Sequence, residues 1–187
     1  YDGEHVSFAS LDDDAFNRTV TVNGVAKAYA MTGWRIGYAG GPKHVIAAMG
    51  ALQSHSTSNP ATVSQLAALK ALAEDPAELP GWRESFVRRR DIIVGGLNDV
   101  EGISCARPGG AFYVFPDCRG LLGKRHNDVE ISDDHVLCEK LLTEAHVAGV
   151  PGSEFGAPGF IRFSYAESDD NIRKAAERIQ KFSSELK

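Results

Sequence analysis

Residues 23–38 constrain this chain more than any other segment, and their sequence is NGVAKAYAMTGWRIGY. A β-rich segment at residues 19–22 precedes them, and Asn-Gly is a typical turn dipeptide. Lys27 follows in an apolar, glycine-containing stretch, with Arg35 next to Trp34 further along. Burial there would favour the neutral, nucleophilic form of the lysine amine. A desolvated lysine near a fixed cation suits covalent chemistry with an aldehyde, whereas the simpler alternative is a lysine that extends from a sheet edge beside Trp34.

The string KxxxMTGWRxG at residues 27–37 resembles the lysine signature of the class I (fold type I) aminotransferases. The residues of this string are especially similar to those of the bacterial aspartate-aminotransferase-like branch, whose members use pyridoxal 5'-phosphate (PLP). The resemblance implies that Lys27 binds PLP covalently and that Arg35 binds the cofactor phosphate. It also implies a position for Ser56 near the phosphate of a partner subunit, while the residues themselves predict a helix N-cap before Pro60.

One departure from the family pattern lies directly before the lysine. Many relatives have a serine at that position, and its hydroxyl contacts the cofactor phosphate. This chain has Ala26 instead, so one hydrogen-bond donor is absent. The resemblance therefore implies weaker retention of PLP without loss of the chemistry.

A second signal is Arg162, which stands in the apolar sequence FIRFSYA. Burying an arginine is unfavourable unless it is paired, so Arg162 is expected either on an exposed edge strand or in contact with a carboxylate. The class I aminotransferases have a similar arginine near the C-terminus, and the resemblance implies that Arg162 holds the substrate α-carboxylate. RPGGAFY at residues 107–113 and PGSEFG at residues 151–156 resemble two further marks of that family. All four occur in family order, and the resemblance covers essentially the whole chain.

Hydrophobic periodicity, capping residues and turn signals outline the elements between these motifs. Helices are predicted at residues 42–54, after Pro60, at residues 82–98, at residues 133–146 and after a Ser168 cap. Strands are predicted at residues 6–10, 19–22, 34–39, 103–106, 111–115, 147–150 and 160–165. The clearest break is EDPAELPG at residues 74–81, where we expect a domain boundary.

The predicted fold class is α/β, and the resemblance implies the C-terminal part of the PLP-dependent transferase fold. Residues 1–80 would be the C-terminal part of the large, mixed-sheet PLP-binding domain. Residues 81–187 would be the small α+β C-terminal domain. Because the chain begins at Tyr1 without an initiator methionine, we expect a fragment. The resemblance implies that the aspartate partner of the cofactor ring nitrogen lies upstream of Tyr1, so the chain alone is expected to be inactive.

Composition excludes other classes of protein. The net charge is −5, so a nucleic-acid partner is not expected, and no apolar run is long enough to predict a membrane span. Three cysteines without a paired spacing indicate free thiols in a reducing, cytoplasmic compartment. The six histidines show no metal-ligand pattern and are expected on the surface or at helix ends, and the basic run at residues 88–90 is expected on a solvated face.

The resemblance therefore implies PLP-dependent amino-group transfer between an amino acid, aspartate-like in chemistry, and a 2-oxo acid. The intact enzyme would be a homodimer. Two alternatives share the fold: a prephenate or aromatic aminotransferase, and a PLP-dependent lyase. An alternative of a different class is a non-catalytic fragment that serves folding or dimerisation.

Overall fold

The computed structural model describes residues 1–74 and 76–187. They form two compact units. The N-terminal unit is Gly3–Pro80, and the C-terminal unit joins Tyr1–Asp2 to Gly81–Lys187. Tyr1 belongs to the latter because its ring lies 4.8 Å from the guanidinium carbon of Arg90 and its backbone nitrogen donates to the carbonyl of Gly109 at 2.8 Å.

The N-terminal unit contains one antiparallel hairpin and three α-helices. Its elements are a 3-10 helix at Phe8–Ser10, α1 (Asp13–Arg18), β1 (Thr21–Gly24), a 3-10 helix at Thr32–Trp34, β2 (Gly37–Gly40), α2 (Lys43–Ser56) and α3 (Thr62–Ala73). The helices predicted after Pro42 and Pro60 are confirmed. Pro42 lies directly before α2, and its carbonyl accepts from the amides of Val45 at 3.0 Å and Ile46 at 3.1 Å. The strand predicted at residues 6–10 is wrong. Its last residues form the 3-10 turn, in which the amide of Ser10 donates to the carbonyl of Ser7 at 3.0 Å.

The C-terminal unit combines three α-helices with a three-stranded antiparallel sheet in the order β3-β7-β6. Its elements are α4 (Leu79–Asn98), β3 (Tyr113–Val114), a 3-10 helix at Arg119–Leu121, β4 (Arg125–His126), β5 (Val129–Glu130), α5 (Asp134–Thr143), β6 (Val150–Pro151), a 3-10 helix at Gly152–Phe155, β7 (Ile161–Ser164) and α6 (Asp169–Ser184). The helices predicted here are confirmed, and the Ser168 hydroxyl accepts from the amide of Asn171 at 3.2 Å as the predicted cap.

The strand predictions for this unit were less accurate. Strands β3 and β7 lie within the predicted segments but are shorter than predicted, and β6 overlaps its predicted segment only at Val150. Residues 103–106 form no strand, and only Ser104 pairs with Asp117 in an isolated bridge. The short β4–β5 hairpin was not predicted.

The hydrophobic core of the C-terminal unit draws side chains from α4, α5, α6 and the sheet. Its most deeply buried members are Leu97, Val114, Cys118, Leu121, Ile131, Leu137, Leu141, Ile161 and Tyr165. The N-terminal unit buries much less: among its described residues, Ala15, Val25, Ser64 and Ala68 are buried. The apolar face of α3 is exposed instead: the side chains of Val63, Leu66 and Leu69 are 63%, 62% and 67% accessible.

The prediction that the basic run on α4 lies on a solvated face is wrong for Arg90. Arg90 is fully buried and is not on a solvated face, because it shares one face of the helix with the core residues Ile93 and Leu97. Its guanidinium donates to the Pro108 carbonyl at 3.1 Å and to Asp91 at 3.0 Å. The two arginines before it, at 88 and 89, both pair with Asp169.

His126 is also buried, against the prediction that the histidines lie at the surface or at helix ends. Its ring packs 4.8 Å from the ring of Phe182, and its Nε2 lies 3.6 Å from a carboxylate oxygen of Glu185. The three buried cysteines (Cys105, Cys118 and Cys138) are free thiols. None of the described helices is both long and apolar enough to cross a membrane.

Candidate active site

Lys27 and Arg35 lie on one connection of the N-terminal unit, residues 25–36, which joins β1 to β2. The hairpin ends at the pair Gly24 and Gly37, so both side chains belong to the same end of the sheet. A Cβ on Gly24 would meet the Ile36 carbonyl at 3.2 Å, and therefore glycine permits this close approach. The connection therefore carries both an amine and a guanidinium.

Local structure fixes each end of this connection. Val25 is fully buried and anchors its start. Arg35 adopts a left-handed backbone with φ 50° and ψ 50°, and its guanidinium donates to the carbonyl of Thr32 at 2.8 Å. A positive φ is unusual for a residue other than glycine and tends to occur where function or tight packing demands it.

Lys27 itself is exposed in this structure, so the burial that would favour its neutral amine is not present in this chain. The sequence around it is apolar, but the chain folds Lys27 into a turn whose solvent-facing side it occupies. An activating apolar environment for its amine is therefore not supplied by the residues that pack locally in this chain.

Ser56 is the last residue of α2 and does not lie on the connection that carries Lys27. Its exposed hydroxyl donates to the Gln53 carbonyl at 3.5 Å, which is a long hydrogen bond. The predicted N-cap is wrong as well, because α3 begins at Thr62 with Ala61 before it and no side-chain cap.

Arg162 lies in the C-terminal unit, on β7, the middle strand of its sheet. It is therefore not an edge-strand arginine. Its neighbours Ile161 and Phe163 point into the core, and Arg162 is half-buried on the other face. The guanidinium carbon lies 4.6 Å from the ring centroid of Tyr113 and 4.6 Å from that of Phe155. Among residues 1–74 and 76–187, no carboxylate forms an ion pair with it and no acceptor receives its hydrogen bonds.

The two rings around Arg162 come from the glycine-rich motifs, and sequence reasoning gave neither a role. Tyr113 ends RPGGAFY and pairs through β3 with Ser164 of β7. Phe155 ends the 3-10 turn of PGSEFG, directly after β6, whose Val150 pairs with Arg162. The available signal was an aromatic residue at or next to the end of each motif, but nothing local indicated that both rings would meet one guanidinium.

Asp134 is a further buried group that sequence reasoning missed. Its carboxylate is 1% exposed and accepts from the amide of Ser153 at 2.8 Å, from the Ser153 hydroxyl at 2.8 Å and from the amide of Gly159 at 3.2 Å. Burial by itself would raise the pKa of Asp134, but these hydrogen bonds outweigh it and the pKa is lowered. The carboxylate therefore stays charged and ties α5 to the turn that carries Phe155.

Two side chains of the N-terminal unit have the chemistry that PLP binding requires. An amine can condense with the cofactor's aldehyde, and a guanidinium can pair with its phosphate dianion. Lys27 and Arg35 supply these two groups from one connection. Arg162 adds, in the other unit, a guanidinium free to take a carboxylate.

Comparison with known proteins identifies the family. The model of the family "Aminotransferase class I and II" matches residues 2–179, so the chain belongs to the class I and II aminotransferases. It is 51% identical over 181 residues to an aspartate aminotransferase of Rhizobium meliloti, covering 96% of this chain and 44% of that protein. It is 49% identical over 175 residues to an aspartate/prephenate aminotransferase of Cereibacter sphaeroides, covering 93% of this chain and 44% of the relative.

A solved structure supports the same assignment. The crystal structure of the aspartate aminotransferase from Rhizobium meliloti matches with a TM-score of 0.94 at 50% identity, over all of this chain and 47% of that one. The predicted fold class is confirmed: the chain has the α/β fold of the C-terminal portion of PLP-dependent transferases. The chain thus spans about half the length of the relatives it matches.

Proposed function

We propose that this chain supplies the cofactor-binding lysine and the carboxylate-binding arginine of a PLP-dependent aminotransferase. Transfer of an amino group between an aspartate-like amino acid and a 2-oxo acid is the reaction. The observation that carries the proposal is that Lys27 and Arg35 lie on the same hairpin connection, in a chain that belongs to the class I and II aminotransferases.

The roles of the residues follow from their chemistry. When bound, PLP would supply an electron sink for the substrate Cα. Lys27 would hold the cofactor covalently and, once released, would move the proton of the substrate Cα as base and then acid. Arg35 would neutralise the phosphate dianion. Arg162 would orient the substrate by a bidentate contact with its α-carboxylate. Ser56 would lie near the cofactor phosphate of the partner subunit, as the family resemblance implies.

Selective labelling tests the cofactor site on this chain. The protein is incubated with PLP, reduced with borohydride and digested, and mass spectrometry locates the pyridoxyl group. We expect Lys27 to be labelled in preference to the exposed Lys43, which begins α2. Arg35→Ala should remove the preference, and so should pyridoxal in place of PLP, because both lose the phosphate contact. Equal labelling of Lys27 and Lys43 with PLP, unchanged by Arg35→Ala, would contradict the assignment.

The choice of substrate is a second proposal. Aspartate is favoured by the name of the Rhizobium meliloti relative, and the Cereibacter sphaeroides relative adds prephenate as a candidate acceptor of the amino group. Turnover of an active enzyme containing this chain on aspartate, with 2-oxoglutarate or prephenate as the acceptor, distinguishes the two substrate ranges. Failure with both would favour the lyase alternative.

We further propose a homodimeric enzyme, because an exposed apolar helix face such as that of α3 is typical of a surface that another part of an assembly covers. The N-terminal and C-terminal units would belong to the large and small domains of the transferase. A cytoplasmic location fits the three buried, free cysteines.

A further inference from the structure

Asp134 has an unusual set of partners for a buried carboxylate. Burying a negative charge is unfavourable unless it is well paired, and a cation is the usual partner. In the part of the chain that the structure describes, no ion pair includes Asp134, and two amides and one hydroxyl solvate it instead. The neighbouring Asp133 already caps α5 by accepting from the amide of Val136 at 2.9 Å, so Asp134 is not needed as the cap.

The donors to Asp134 bracket the turn between β6 and β7. Within that turn the amide of Gly152 donates to the Phe160 carbonyl at 2.7 Å, and the amide of Ala157 donates to the Gly152 carbonyl at 2.9 Å. A Cβ on Gly152 would lie 2.3 Å from the carbonyl oxygen of Ala157, so the backbone there is packed as closely as glycine allows. The turn therefore has one well-determined backbone path.

Phe155 depends on that path. Its side chain is 49% exposed, and burial alone does not fix it. One edge-to-face contact with Phe115, at 6.1 Å between centroids, accompanies its contact with Arg162. The position of this ring is set mainly by the backbone of the turn, which Asp134 anchors through Ser153.

Arg162 in turn depends on the rings. A guanidinium packed on aromatic faces keeps its N–H edge available for a planar carboxylate. The rings of Tyr113 and Phe155 are the contacts that hold Arg162 in this structure, because no acid pairs with it among the described residues.

We propose that Asp134 is a positioning residue for Arg162: it fixes the turn through Ser153 so that Phe155 lies against the guanidinium and keeps it ready for a carboxylate. This inference rests on the proposed function, in which Arg162 binds the substrate carboxylate. Asp134 would act at a distance from the ligand, through one turn and one ring.

The test uses the 187-residue chain, with succinate as a dicarboxylate that undergoes no transamination. The side-chain Nε–H signal of Arg162 is identified by its loss in Arg162→Lys and followed in NMR titrations. Asp134→Asn places an amide N–H₂ against donors, and Phe155→Leu removes the ring. Each should weaken succinate binding at Arg162 about threefold to tenfold, the scale of a lost cation–π contact. Each should also shift the Arg162 signal in the absence of succinate, because the ring above it moves or is lost.

Asp133→Asn is the matched control, because asparagine also caps helices and the Asp133 carboxylate accepts from Ser132 and Val136, neither of which belongs to the turn. It should leave both readouts unchanged. In the double variant Asp134→Asn, Phe155→Leu, binding should be no weaker than in Phe155→Leu alone, since both changes act through one ring.

The outcomes separate the inference from the proposed function. Two results would overturn the positioning role alone. In one, the succinate affinity of Asp134→Asn stays within twofold of the wild-type affinity. In the other, Asp134→Asn still weakens succinate binding in the Phe155→Leu background. A wild-type chain with no succinate shift at Arg162 overturns the carboxylate role and the inference with it. If Asp134→Asn does not fold, Ser153→Ala replaces it, because this variant removes one hydrogen bond to the same carboxylate. It is then compared with Phe155→Leu and with the corresponding double variant, and the same results support or overturn the positioning role.

Discussion

Two adjacent glycines near the end of α4 should respond to the same substitution in opposite ways. An added Cβ on Gly95 would have nothing within 4 Å, whereas a Cβ on Gly96 would lie 2.6 Å from the Cβ of Ala176 on α6. Gly95→Ala should stabilise the C-terminal unit by about 0.5–1 kcal/mol, because alanine restricts the unfolded chain and favours the helix.

Gly96→Ala gains the same helix propensity and adds an overlap. Carbon atoms in contact prefer about 3.5–4.0 Å, so the two helices would have to separate by roughly 1 Å. Overpacking of this kind costs about 1–3 kcal/mol. Because the propensity gain is common to both variants, the difference between their free energies of unfolding measures the overlap at Gly96 and should be about 1–3 kcal/mol.

Urea unfolding followed by circular dichroism measures this difference. With a typical slope of about 2 kcal/mol per molar urea, a gap of 2 kcal/mol separates the two midpoints by about 1 M. Ala176→Gly removes the Cβ that Gly96→Ala would meet, so it should destabilise the Gly96→Ala background less than the wild type. Equal stability of the two alanine variants, or additive effects of Ala176→Gly, would refute the close approach of α4 and α6.

Two further predictions concern titratable groups. The lowered pKa of Asp134 means that its folded carboxyl binds a proton less readily than the unfolded one, so its contribution to stability is present above the ordinary pKa of 3.8 and is lost as the pH falls below it. The gap in urea midpoint between wild type and Asp134→Asn should therefore narrow between pH 7 and pH 3, and a constant gap would contradict this. Burial raises the pKa of Cys105 to about 11 and that of Cys118 and Cys138 to about 12. Fewer than about one of these thiols in a thousand is a thiolate at neutral pH, so iodoacetamide should label the folded chain far more slowly than the urea-unfolded chain. Labelling at the rate of a free thiol in the folded chain would show that they are accessible.

The sequence by itself determined the helices and identified the motifs. Pro42 and Ser168 each influence the first turn of the helix that follows them, and the spacing of apolar residues is a pattern over a few positions. These interactions are local, so the sequence alone is enough to predict the helices. Arg162 could also be identified from local sequence, because its apolar neighbours predict a strand in which it is the one charged residue. The family string around Lys27 also indicated the α/β fold of the PLP-dependent transferases.

Tertiary structure decided which of these side chains are buried and which meet. Residues 6–10 have strand-like composition, but no strand among the described residues pairs with them, and their last residues form a 3-10 turn. Lys27 is exposed and Arg90 is buried, the reverse of what their neighbours in sequence suggested, because burial depends on which helix or strand covers a position. Tyr113 and Phe155 meet the guanidinium of Arg162 only because β3 and β6 pair with opposite edges of β7. Contacts between residues so far apart in sequence are set by strand pairing and packing, which no local pattern encodes.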